Sequence, residues 1–301
     1  MEGLTDEMGG YGFHRKGNDL KIYTPRMPPE VYRVIYDQVH AALRSRFLVV
    51  ASPIETPAKR DYGDLDVFVC WDNTGCFDKC RDLPEIRKTL VGAELDKIKS
   101  LVGAHTLVER KHNSTVQLAV PWPHNVKSHH HPDLGPPLAQ IDLHIYRSMN
   151  ELEWELFKCV HGDLFWFFHT MIRPFGLTLG ADGLQLRISE LEDQTKDHSI
   201  LLSKEPAQIL AFLGFQSAEE VWERTFQSCD ELFEYASRCR FFHDFDDNNI
   251  SDADRKRMKC KRNYELFICL YIGLNELDAN GAQPARYLGY GLKTSCLDVE
   301  N

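Results

Sequence analysis

Two aspartates one residue apart at the mouth of an apolar run, Asp64-Leu65-Asp66-Val67 continuing as F-V-C-W to position 71, constrain this chain more than any other feature. The β-branched and aromatic content of that run predicts a strand over 65–71. Residues two apart on a strand face the same way, so both carboxylates leave one face together while Leu65 and Val67 enter a core on the other. Two carboxylates that close repel each other and resist full ionisation. A hard divalent cation such as Mg²⁺ resolves the conflict, because it prefers a few carboxylate oxygens together with phosphate oxygens. Asp142 repeats the pattern alone, flanked by Ile141 and Leu143 in Q-I-D-L-H-I (140–145), which also reads as a strand. If that strand lies beside the first, three carboxylates converge, the minimum for a two-metal site. His144 then points to the same face as Asp142, at the rim of the site.

Other elements follow from periodicity. Val31, Val34, Ile35, Val39, Ala42 and Leu43 recur at helical spacing after Pro28-Pro29 and predict a helix with one apolar face. F-L-V-V-A (47–51) and T-V-Q-L-A-V (115–120) read as strands, and 84–101 as a helix. Glu151 to Ile172 is a long apolar helix candidate with a break near Gly162. F-G-L-T-L (175–179), a G-A-D-G turn and L-Q-L-R-I (184–188) predict a hairpin. Helices are expected over Pro206–Leu213, Ala218–Arg238 (with Ser217 and Glu220 as a capping box) and Tyr264–Leu277. The plan is α+β: a first domain over 1–150, then a mainly helical domain over 151–301 carrying the hairpin at 175–188.

The loop ahead of the aspartate pair adds to the site. Ala51-Ser52 closes a strand, and eleven residues separate Ser52 from Asp64. A small residue and a serine at such a turn can present backbone N–H groups and a hydroxyl to a triphosphate. Lys59 and Arg60 in the same loop supply positive charge for it. Small-Ser, a loop of this length, hydrophobic-flanked Asp-x-Asp and a later strand aspartate together resemble the signature of the DNA polymerase β-like nucleotidyltransferase superfamily. That superfamily has Gly-Ser where this chain has Ala51-Ser52. The resemblance implies a nucleotidyltransferase core, a mixed sheet with flanking helices. It also implies Asp64 and Asp66 as ligands of both metals (Mg²⁺ or Mn²⁺), Asp142 as the third ligand nearest the acceptor hydroxyl, and Ser52 as a triphosphate contact. H-G-D-L-F-W with R-P-F-G-L-T-L-G-A-D-G-L resembles the segment after the third aspartate in template-type members, but Asp163 and Trp166-Phe167 depart from their sugar-pocket residues, so a DNA polymerase does not follow. The stretch 153–188 also resembles fungal proteins carrying the same core.

Charge bears on the partner. The net charge is −10, and residues 1–150 hold 19 basic and 19 acidic side chains, so the whole excess lies in 151–301. An acidic second half grips a long polyanion poorly. R-K-R-M-K-C-K-R (255–262) is the exception: it reads as a grip for an RNA end or as a solvated basic face. The expected activity is transfer of a nucleoside monophosphate from an NTP such as ATP to an acceptor hydroxyl on an RNA 3′ end, a small molecule or a protein. The alternative is an inactive module of the same fold that binds a nucleotide or a partner. Nine cysteines, an odd number without standard zinc spacing at Cys70, Cys76 and Cys80, predict reduced thiols rather than a disulfide framework. With no run of the ~18–20 apolar residues that a span needs and an acidic start, no membrane partner is expected, and the location is read as cytoplasmic or nuclear. His129-His130-His131, with His124 and Asp133, form a loop cluster that seldom converges on one zinc ion. Trp154, Phe165, Trp166 and Phe168 could stack a base, but at helical spacing they read as core.

Overall fold

The computed structural model describes residues 22–77, 80, 85, 92–109, 115–124, 126, 135–188, 199–217 and 219–242. The first helix, α1 (Pro29–Arg44), begins where Pro28 is extended and Pro29 occupies the first turn, a position that needs no N–H donor. Val31, Ile35, Val39 and Leu43, spaced by four, are at most 1% exposed. His40 joins this buried side although it is polar.

Five strands form the first sheet: β1 (Phe47–Ala51), β2 (Leu65–Asp72), β3 (Thr106–Glu109), β4 (Thr115–Pro121) and β5 (Leu138–Tyr146), in the order β1-β2-β5-β4-β3. Every neighbouring pair is antiparallel except β2 and β5, which run parallel at the centre. Helix α2 (Ala93–Leu101) is entered at Gly92, whose φ is +57°. Residues 84 and 86–91 of the expected 84–101 helix lie outside the described set.

Alternation on the central strands divides the sheet into two faces. Leu65, Val67, Val69, Ile141, Leu143, Ile145, Val116 and Leu118 point one way and pack with Val31, Ile35 and Leu43 of α1 and with Leu95 and Ile98 of α2. Each such side chain, fully withdrawn from water, contributes roughly 1.5–3 kcal/mol. The other face carries Asp66, Asp142, His144, Gln117 and Thr115.

A second core is built from α3 (Met149–Cys159), α4 (Leu164–Ile172), the strands β6 (Leu177–Gly180) and β7 (Gly183–Arg187), and the helices α5 (Pro206–Leu213), α6 (Glu219–Glu223) and α7 (Cys229–Ser237), while β8 (Ser199–Ser203) extends the β6–β7 sheet outside it. The expected helix over 151–172 is thus two helices. His161 and Gly162 take positive φ between them, and the His161 N–H donates to Ile54 O at 2.7 Å. The expected helix over Ala218–Arg238 is also two. Ser228 accepts from the Glu231 N–H, and Glu231 Oε2 accepts from the Gln227 N–H, so a capping signal at 228–231 starts α7. The helix expected over 264–277 lies outside the described residues.

Candidate active site

The parallel pairing of β2 with β5 sets Leu65 beside Ile141, Asp66 beside Asp142 and Val67 beside Leu143. On the far side of β5, antiparallel β4 sets Gln117 opposite Asp142 and Thr115 opposite His144. Strands lie about 4.8 Å apart, so Asp66, Asp142 and Gln117 form one row across three strands. Phe68, His144 and Thr115 form the next. Asp64 precedes β2 and is half-buried.

The Asp64 carboxyl feels the other two. The Asp64 carboxyl is pushed up to about 7, first by burial, then by the charges of Asp66 and Asp142, with Glu55 adding to the rise and Lys59 opposing it. Burial and neighbouring carboxylates disfavour the ionised form of Asp64, and hard carboxylate oxygens are the donor set that suits Mg²⁺. Among the described residues, no three His, Cys, Asp or Glu side chains already stand as a ligand set. Asp66 Oδ1 is instead 3.0 Å from His144 Nε2. Asp142 Oδ1 accepts from the side-chain amides of Gln117 at 3.0 Å and Gln140 at 2.9 Å. Asp142 is only 5% exposed, so these amides replace the water its charge would otherwise hold.

Ser52 lies where the sequence places it, just past β1, but its hydroxyl is already engaged. It donates to the Asp66 carbonyl at 2.6 Å and lies 2.9 Å from His40 Nε2. A carbonyl only accepts, so Ser52 gives its one hydrogen to Asp66, and His40 Nε2–H must donate to Ser52. His40 is 1% exposed, stacks on Tyr36 at 4.0 Å, and burial lowers its pKa to about 4. Its Nδ1 is buried without a partner.

Lys59 is paired with Glu55 at 2.6 Å and lies 4.9 Å from the Tyr62 ring, itself stacked on Tyr32. It faces Asp64 closely enough to lower that carboxyl's pKa. Arg60 is exposed in the same loop. The loop is also fastened to the second core, with Ile54 packed against it and Thr56 against Gly162.

Gln117, Gln140, Thr115 and His40 are the site neighbours that residue patterns did not single out. Alternation could have found Gln140, two residues before Asp142, but Gln117 and Thr115 needed the register of β4, and His40 sits on a helix. Trp154, Phe165 and Phe168 lie in the second core, with Trp166 half-buried against it. Cys70, Cys76 and Cys80 are not joined to one another by disulfides. His124 is exposed, while His129–His131, Asp133 and the basic run 255–262 lie outside the described residues. Among the described residues, no helix is long and apolar enough to cross a membrane. No protein-family model matches the chain, and no curated protein does.

Proposed function

We propose that this protein is a metal-dependent nucleotidyltransferase of the polymerase β-like type. The observation that carries the reading is the in-register pairing of Asp66 with Asp142 on the two central parallel strands, with the Asp64 carboxyl raised by burial and by the charges of both. Aspartates in that pattern, after a small-Ser loop, are what the sequence resemblance implies for this activity.

In the proposed reaction an acceptor hydroxyl attacks the α-phosphorus of an NTP in line. The bond to the bridging oxygen of the β-phosphate breaks, pyrophosphate leaves, and the acceptor's proton passes to water. Mg²⁺ or Mn²⁺, held by Asp64, Asp66 and Asp142, would neutralise the charge on the transferring phosphoryl group and the leaving pyrophosphate. Gln117 and Gln140 keep Asp142 oriented on its strand. Lys59 contacts the triphosphate after release from Glu55, and Arg60 adds positive charge at the loop's exposed side. Positioning by a rigid sheet supplies much of the remaining barrier reduction. The acidic excess of residues 151–301 favours a small-molecule or protein acceptor over a long RNA.

The test is pyrophosphate release from each of the four NTPs in Mg²⁺ or Mn²⁺ with total RNA and cell extract present, using Asp64→Ala/Asp66→Ala as the blank. Release lost in the blank is the expected result, and equal release from both proteins refutes the reading. A salt titration of RNA binding then sorts the acceptors, since a steep loss of affinity with salt marks RNA.

One observation favours a second reading, a nucleotide-binding module without catalysis: the Ser52 hydroxyl is spent on Asp66 and His40. For such a module, nucleotide raises the melting temperature equally with and without Mg²⁺.

A further inference from the structure

A hydrogen-bonded relay crosses three strands on the polar face of the sheet. Thr115 Oγ1 lies 3.0 Å from His144 Nδ1, and His144 Nε2 lies 3.0 Å from Asp66 Oδ1. The register creates it, because His144 has Thr115 opposite on β4 and Phe68 opposite on β2, one step along from Asp66. The Phe68 ring stacks on the imidazole at 4.7 Å with planes 10° apart, which fixes the ring's plane.

The direction of the relay follows from donor chemistry. An ionised carboxylate has no hydrogen to give, so His144 Nε2–H donates to Asp66. In the neutral ring Nδ1 then accepts from the Thr115 hydroxyl. Hydroxyl, imidazole and carboxylate in this order also describe a nucleophilic triad, but Thr115 is 5% exposed within its strand, which withdraws its oxygen from attack on a substrate. The buried hydroxyl is the anchor, and the partly exposed carboxylate, 39% accessible, is the end being held. A hydrogen bond so open to water adds little to folding. Its effect falls on where the Asp66 carboxylate points.

We propose that His144, braced by Thr115 and Phe68, is a positioning residue that orients the Asp66 carboxylate for a divalent cation. The proposal rests on the nucleotidyltransferase reading. Partners of ligating groups carry roughly 10–100-fold in metal affinity, and His144 occupies that place for Asp66.

The experiment uses the full chain, Mn²⁺ as the probe, and two readouts. The first is the Mn²⁺ dissociation constant from water-proton relaxation. His144→Phe keeps a ring against Phe68 and removes the donor, and it weakens binding by roughly 10–100-fold. His144→Gln, whose amide replaces Nε2–H, recovers most of the loss. Thr115→Val, which removes the hydroxyl at similar volume, weakens binding less than His144→Phe and carries the test if that variant does not fold. The second readout is the imidazole ¹⁵N spectrum of the metal-free protein, which shows the Nε2–H tautomer at His144 in the wild type and a mixture in Thr115→Val. Folded variants with wild-type Mn²⁺ affinity overturn the positioning role. An Nδ1–H tautomer in the wild type overturns the relay itself. A wild type that shows the Nε2–H tautomer yet binds no Mn²⁺ overturns the metal reading of the site, and the positioning role falls with it for that separate reason.

Discussion

Gly162→Ala tests how the loop bearing Ser52 and Lys59 is held. Gly162 has φ +69° in the break between α3 and α4, and a Cβ there would stand 1.9 Å from Thr56 Oγ1 and 3.3 Å from Thr56 Cβ. An L side chain in the left-handed region costs roughly 1–2 kcal/mol. Thr56 can turn its hydroxyl away about χ1, and leaving a preferred rotamer adds on the order of 1 kcal/mol. The total is about 2–3 kcal/mol for Gly162→Ala alone. In a Thr56→Ala background the hydroxyl is gone, and the backbone part, about 1–2 kcal/mol, remains together with the 3.3 Å approach to the residue 56 Cβ. Urea unfolding of the four proteins gives the coupling directly, provided m stays constant across the set. A coupling near zero, or a Gly162→Ala cost below about 0.5 kcal/mol, the range of ordinary surface changes, refutes the reasoning.

Further outcomes follow from the same site and its supports. Asp64 has a folded pKa raised above its unfolded value, so the stability tied to its proton is fully present below about pH 4 and lost as pH rises through about 7. Chemical denaturation of the metal-free protein across that window shows the fall, and Asp64→Asn flattens it. Ser52→Ala leaves the Asp66 carbonyl and His40 Nε2–H without their partner, a loss of about 1–3 kcal/mol that thermal unfolding registers. Arg46 is bonded to Asp72 at 2.9 Å and to Glu94 at 2.9 Å, and the Asp72 side chain is fully buried. Arg46→Ala therefore costs about 3 kcal/mol or more in urea unfolding, whereas Lys97→Ala, at an exposed pair with Glu94, changes it by less than about 1 kcal/mol.

The elements with strong local periodicity were legible in the sequence. Val31, Ile35, Val39 and Leu43 announce α1, and the alternation around Asp66 and Asp142 tells which way each carboxylate faces. Four-residue T-L-V-E (106–109) was not legible as β3, because so short a run has no period of its own and gains strand geometry from β4. S-I-L-L-S (199–203) escaped for a different reason. Ile200, Leu201 and Leu202 are all about half exposed, so β8 carries no inside–outside alternation. The break before α7 hid inside continuous helical spacing, although Ser228 and Glu231 hold the capping pattern that sets it. At the site, the pairing of Asp66 with Asp142 depends on a long-range register that neither strand encodes alone. Nor could the sequence show that Ser52 turns its hydroxyl inward, since the acceptor is a backbone carbonyl on another strand.

The central parallel pair also has a consequence for how the chain assembles. β1 and β2 join as one antiparallel pair, and β3, β4 and β5 as an antiparallel series, each from segments near one another in sequence. The β2–β5 seam alone unites them, and it closes the longest loop in the sheet. Local pairs form quickly, whereas a distant pair must first overcome the entropy of loop closure. Asp66 and Asp142 lie on opposite sides of that seam. Their mutual repulsion is therefore absent from either half alone and enters at the step that joins them, so a cation bound by both would act as a clasp on the seam, felt first in the rate at which the two halves come apart.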